Sequence, residues 1–249
     1  MTDDSTSRPA PPSGDEERLL EGPAPRGSEL LRILRIGREL VRGFRALHFV
    51  GPCITVFGSA RFREGHEYYE LARGVGAELA RSGFTVMTGG GPGIMEAASR
   101  GAKEAGGRTI GCSIDLPHEQ NSNPWLDRNV NFHYFFVRKV MLVKYSYGFV
   151  VLPGGFGTMD EIFETLTLIQ TRKIRDFPLV LMGVEYWQRL LQFMTGRMVP
   201  EGTIDAADVE RLVLTDDPQA AVDAILQAAT GRFGLRPARR PRVWLGERA

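Results

Sequence analysis

Short apolar runs alternate along this chain with segments of helical periodicity, and three of the runs end in clustered glycines. Residues 54–57 lead into Gly58 and Ser59, and residues 84–87 into Gly89, Gly90, Gly91, Pro92 and Gly93. Residues 147–152 lead into Pro153, Gly154, Gly155, Phe156, Gly157 and Thr158. Further runs fall at 108–113, 129–132, 179–182 and 212–214. Between them, Tyr69, Leu71, Ala72, Val75 and Leu79 recur at helical spacing up to Gly83, and 94–105, 135–146, 158–172, 186–194 and 218–229 also read as helices. A run that is apolar at nearly every position is buried on both faces, as a strand is inside a parallel sheet. Strands alternating with helices predict an α/β fold: one domain in three layers, built on a doubly wound parallel sheet.

The ends of the chain read differently. Residues 1–28 are rich in Pro, Ser, Gly, Asp and Glu without apolar periodicity, so they are expected to be a disordered tail. An N-terminal helix follows from Ser28 to Leu47, with Leu30, Ile33, Leu34, Leu40, Val41 and Phe44 on the face expected to pack and Arg32, Arg35 and Arg42 off it. Its partner is either the main domain or a second copy of the chain. The folded domain is expected over 29–235, with a polar loop at 116–128 and a loose basic tail at 236–249.

A formal charge of +1 supplies no field to attract nucleic acid or an anionic membrane. No apolar run reaches the roughly 18 residues of a membrane span, and 1–25 lacks the core of a secretory signal, so a cytoplasmic protein is expected. Cys53 and Cys112 sit in or beside apolar runs and read as small hydrophobes. His48, His66, His118 and His133 share no ligand spacing, and no metal site is expected.

Open α/β sheets bind ligands beyond the carboxyl ends of their strands, which is where the glycines lie. Glycine allows a ligand close to main-chain N–H groups, and a helix starting at Thr158 would aim unpaired donors and a positive dipole end at the same spot. Such a place favours phosphate. The dinucleotide fingerprint G-x-G-x-x-G fails, because Gly89 and Gly91 meet Ile94 at the third position, and Gly155 and Gly157 meet Asp160. That disfavours a nicotinamide oxidoreductase. The G-x-x-x-x-G-K-[ST] loop of nucleoside triphosphatases is absent as well.

Two residues beside the last glycine loop draw attention. Glu161 follows it by a few positions, and Arg138 sits on the preceding helix among Phe135, Phe136, Val137, Val140 and Met141. An arginine in such company is costly unless an acid or a bound anion faces it. A carboxylate near a sugar phosphate can steady an oxocarbenium-like transition state or activate water. Thr158-x-x-Glu161 is equally a helix capping box, which would occupy that carboxylate structurally. The residues alone leave both readings open. Asp160 and Glu164 read as partners of the helix dipole.

Taken together, Gly89-Gly-Gly-Pro-Gly-Ile-Met95, Arg138-Lys139 with Met141, and Pro153-Gly-Gly-Phe-Gly-Thr-Met-Asp-Glu161 resemble the LOG (Lonely Guy) family over roughly residues 54–228. The resemblance implies a Rossmann-like fold, a homodimer or higher homo-oligomer, and hydrolysis of the N-glycosidic bond of a nucleoside 5′-monophosphate to free base and ribose 5-phosphate. AMP and cytokinin riboside monophosphates are substrates of this type. Carried over by position, it makes Arg138 and Glu161 catalytic. Substrate contacts fall to Gly58, Ser59, Gly90, Gly91, Gly93, Met95, Lys139, Gly154, Gly155, Phe156, Gly157, Thr158 and Thr167. No cofactor or metal is implied. Phe135 and Phe136 stand where cytokinin-activating members usually carry Met-His, so the base is not carried over. Members are often labelled lysine decarboxylases, yet no lysine here stands out as the Schiff-base partner of pyridoxal phosphate. The alternative is a non-catalytic carrier or sensor of a phosphorylated ligand, such as the molybdenum-cofactor carriers of the same fold.

Overall fold

The computed structural model describes residues 15–114, 123–175 and 177–233. Two helices, α1 (Asp15–Leu20) and α2 (Arg26–Leu47), precede β1 (Cys53–Phe57). Alternation then follows: α3 (Glu67–Arg81), β2 (Thr85–Thr88), α4 (Ile94–Glu104), β3 (Thr109–Ile114), β4 (Arg128–Phe132), α5 (Phe135–Tyr145) and β5 (Ser146–Val151). The chain continues through α6 (Phe156–Gln170), β6 (Leu179–Leu181), α7 (Val184–Phe193), α8 (Ala206–Glu210), β7 (Leu212–Leu214) and α9 (Pro218–Phe233). All seven strands pair in parallel, in the order β4-β3-β2-β1-β5-β6-β7.

Alternating side chains of each central strand divide between two apolar layers. Cys53, Phe57, Phe149, Val151, Leu179 and Leu181 pack with Val137, Met141, Ile162 and Trp187, so α5, α6 and α7 cover that face. Ile54, Val56, Val150, Leu152, Val180 and Met182 pack with Tyr69, Val75, Ala98 and Val222, so α3, α4 and α9 cover the other. The predicted doubly wound, three-layer sheet is thus the fold. On the second face α3 and α4 cross so closely that a Cβ at Gly76 or Gly101 would overlap a carbonyl of the facing helix.

The chain builds outward from β1 to β4, returns through α5 to place β5 beside β1, and then builds outward the other way. The loops that leave β1 and β5 therefore diverge, opening a crevice between them. No described helix is long and apolar enough to cross a membrane.

One expectation at the N-terminus needs correction, and another is narrowed. Within the tail expected to be disordered to residue 28, Asp15–Leu20 is helical, and the Glu16 carboxylate accepts from the Phe135 amide at 3.0 Å. On α2, most of the apolar face does not pack on the main domain, the first of the two expected partners: Leu30, Ile33, Leu34, Val41 and Phe44 are exposed and open to the second, another copy of the chain. Only Leu40 of that set packs, and the inward stripe is instead Ile36, Glu39, Leu40, Gly43 and Leu47. Glycine at 43 lets the helix settle against Met141, whose Sδ would stand 3.0 Å from a Cβ there. Most of the 116–128 loop and the 236–249 tail lie outside the described residues.

Candidate functional site

Ser59 joins the three glycine loops. Its amide donates to the Pro153 carbonyl (3.0 Å), and its own carbonyl accepts from the Ile94 amide at the start of α4 (3.1 Å). Its Oγ accepts from the Arg61 amide at 3.1 Å, which tightens the turn. Contact requires the glycines on this side. A Cβ at Gly58 would lie 2.5 Å from Ile94 Cγ2, and one at Gly93 2.6 Å from the Ser59 oxygen. Gly90, at φ +76°, would press a Cβ to 2.6 Å from Ser113 Oγ.

The loop after β5 has a different physics. Gly155 is the N-cap of α6, and no side chain caps the helix. The first intrahelical bond runs from the Met159 amide to the Gly155 carbonyl (3.0 Å), so the N–H groups of Phe156, Gly157 and Thr158 precede the helical ladder. A Cβ at Gly155 or Gly157 would meet nothing within 4 Å. Those three amides lie in the first turn of α6, where the helix dipole is positive. Gly154 is buried beneath Thr158, whose hydroxyl occupies the place of a Cβ, and the Tyr186 hydroxyl donates to the Gly154 carbonyl at 2.7 Å. Phe156 projects outward, 96% exposed.

The helix begins two residues earlier than Thr158, which rules out the capping box. Thr158 is its third residue and Glu161 its sixth, a turn deeper than expected. Glu161 is 5% exposed, and its Oε2 is buried without a hydrogen-bond partner among the described residues. Burial pushes its pKa up to about 7, against the pull of Arg138 and then Lys139, while Glu164 and Asp160 push the same way as burial. A carboxyl that is half ionised near neutrality can take or give a proton.

Arg138 is half-buried on α5. Its Nε donates to the Cys112 carbonyl at 2.7 Å, and its Nη2 lies over Gly89, where a Cβ would overlap it. The end of β3 therefore aims the guanidinium toward the loop of β2. Lys139 bridges from α5 to α6, its Nζ donating to Asp160 (2.9 Å) and forming an ion pair with Glu164 (2.5 Å). Burial lowers its pKa, but the bonds with Glu164 and Asp160 outweigh that and leave it raised. Such a lysine stays protonated, which suits neither a Schiff base nor a nucleophile. Asp160 and Glu164 bind this lysine, and neither lies in the first turn of α6.

The other expected contacts divide. Met95 reaches the cluster, with Sδ 2.7 Å from where a Cβ of Gly89 would sit, and Gly91 lies on the same loop. Thr167 stands apart on α6, exposed, its hydroxyl donating to the Phe163 carbonyl at 2.8 Å. Two residues escaped the sequence reading. Asn123 is buried, bonds its amide to the Gly90 carbonyl (3.4 Å) and donates from Nδ2 to Met95 (3.4 Å). Tyr186 steadies the β5 loop from α7. Asn123 belongs to a polar stretch with no local signal, and Tyr186 is far from the motif in sequence.

A buried carboxyl, an arginine beside it and an open helix N-terminus thus meet at the switch point of a Rossmann-like α/β protein. A family model described as possible lysine decarboxylase matches residues 95–225. A cytokinin riboside 5′-monophosphate phosphoribohydrolase from Rhodococcoides fascians is 32% identical over 177 residues, which span 69% of this chain and 88% of that protein. The enzyme of the same name from Mycobacterium tuberculosis is 32% identical over 164 residues, spanning 64% and 85%. Among solved structures, the molybdenum cofactor carrier protein of Chlamydomonas reinhardtii superposes with a TM-score of 0.56 at 25% identity, covering 72% of this chain and 99% of that one. The molybdenum cofactor binding protein of Rippkaea orientalis gives 0.54 at 25%, covering 71% and 96%. The chain belongs to the lysine-decarboxylase-like, or LOG, family.

Proposed function

We propose that this protein hydrolyses the N-glycosidic bond of a nucleoside 5′-monophosphate, of the AMP or cytokinin riboside monophosphate type. The observation that carries the reading is the buried, unpartnered Glu161 oxygen beside an uncapped helix N-terminus. Leaving a polar atom buried and unsatisfied costs roughly 1–3 kcal/mol, a cost that a substrate contact would offset. The amides of Phe156, Gly157 and Thr158 hold the 5′-phosphate, remote from the bond that breaks, and so orient the ribose. As the C1′–N bond breaks, ionised Glu161 steadies the positive charge on the ribose and takes a proton from the attacking water. The base leaves with the bonding electron pair, the proton that Glu161 took from water passes to it directly or through solvent, and ribose 5-phosphate remains. Arg138 orients the substrate from across the crevice and favours the ionised form of Glu161. The relatives named as phosphoribohydrolases support the same reaction.

The likeness to molybdenum cofactor carriers favours a second reading, stoichiometric binding of a phosphorylated ligand without turnover. Incubation with a panel of nucleoside monophosphates, followed by chromatography for released base, separates the two. Tight binding of the panel with no base formed would remove the hydrolase. The reading also includes a homodimer. Exposed Phe135, Phe136 and Val140 on α5 offer an apolar surface to a second copy, and light scattering on the purified chain checks it.

A further inference from the structure

Away from the glycine loops, α2 gathers positive charge on one side. It carries Arg26, Arg32, Arg35, Arg38, Arg42 and Arg45 against only Glu29 and Glu39. Arg35, Arg38 and Arg42 follow an i, i+3, i+7 spacing that sets them on one strip of the helix. With Glu39, and with His133 and Tyr134 at the start of α5, they line a cavity of about 200 Å³.

The carboxylate in that lining is already engaged. Glu39 is 7% exposed, and its Oε1 accepts from the amides of His133 (2.8 Å) and Tyr134 (3.3 Å). His133 Nδ1 stands 3.4 Å from its Oε2. Glu16 takes the next amide, that of Phe135, so acids from α1 and α2 satisfy the N-terminus of α5 from within. The cations that line the cavity are Arg35, Arg38 and Arg42. Arg42 donates to the Asn131 carbonyl, which fixes one of them in place. Arg38 makes no hydrogen bond or ion pair among the described residues. Like charges one turn apart on a helix repel, and an anion between them removes that cost.

We propose that this cavity is a second anion site, separate from the loop after β5, that takes a compact phosphate-type dianion. Forked guanidinium donors suit phosphate oxygens better than a point charge does. A cavity of about 200 Å³ has room for a phosphate group. The site does not depend on the hydrolase reading.

Calorimetric titration with inorganic phosphate at fixed ionic strength tests it in a protein whose other site is closed. Gly157→Asp provides that background: the added carboxylate meets open space, favours the helix N-terminus and takes the anion's place at α6. The G157D protein is expected to bind one phosphate per chain, and adding Arg35→Gln with Arg38→Gln, both exposed, to weaken it at least tenfold. G157D protein that binds no phosphate would overturn the proposal. Equal affinity with and without the two arginines would overturn it too, as would phosphate heat that chloride at the same ionic strength reproduces.

Discussion

The loops after β2 and β5 look alike in sequence, both dense in glycine and both opening a helix, yet their glycines serve different ends. At the β2 loop, Gly90 and Gly93 have positive φ and press against Ser113 and Ser59, so glycine is needed for the protein to touch itself. At the β5 loop, a Cβ at Gly155 or Gly157 would meet nothing, so no contact within the protein requires a glycine there. Glycine density marks both cases, and only the surroundings tell a packing glycine from a binding one. Under the proposed hydrolysis, the β5 loop with Glu161 is the half of the site that meets substrate, and the β2 loop is its frame.

The largest effect expected from this contrast concerns Glu161. Glu161→Gln should lower base release by about 10²–10⁴-fold while leaving phosphate binding in place. The same variant reads the buried charge. The folded pKa of Glu161 is raised, to about 7 from 4.5, so the folded state binds the extra proton between those values. Stability from this group is full below about 4.5 and is lost as pH rises through about 7, by at most about 3 kcal/mol. Thermal melts across roughly pH 4 to 8, a range that brackets the unfolded and folded pKa values, should show wild type falling behind E161Q as pH increases. Parallel curves would mean that the carboxylate is not buried as described.

Next comes the frame. Gly93→Ala forces an L-residue to φ +68° and ψ −126° and brings a methyl to 2.6 Å from the Ser59 oxygen. Strain and overlap together should cost about 3 kcal/mol or more, seen as a lowered denaturation midpoint. An unshifted midpoint would mean that the β2 loop is not held by its contacts and that the contrast between the loops is false.

The sheet was legible because burial on both faces writes nearly unbroken apolar runs, and the positions of β1 to β7 follow from them within a residue or two. The glycine loop after β5 was legible because its glycines are local. The α6 start was not: Thr158 and Glu161 satisfy a capping pattern, but the helix begins at Phe156 because Gly155 serves as the cap and Thr158 is spent covering Gly154. The outward turn of α2 escaped for a related reason. Which stripe packs depends on where Gly43 allows close approach and where Glu39 finds the amides of His133 and Tyr134, and both are set by the distant α5.

A smaller effect tests how the β5 loop is kept in shape. Tyr186→Phe removes the bond to the Gly154 carbonyl and should cost about 1 kcal/mol of stability. Because that carbonyl adjoins the amides proposed to hold phosphate, KM should rise more than kcat falls. A change in stability with unchanged KM would assign Tyr186 to packing alone.

The smallest stability change carries the sharpest reading of the two loops. Gly157 is in the first turn of α6 with open space around it, so Gly157→Ala should stabilise the fold by about 0.4–1 kcal/mol through a less flexible unfolded chain. Yet the new methyl stands where the phosphate would approach, so KM for a nucleoside monophosphate should rise. Only a glycine kept for a ligand gives both signs at once, since a packing glycine loses stability and an idle one leaves KM alone. A stabilised G157A enzyme with unaltered KM would therefore show that the empty space beside α6 is not where substrate sits.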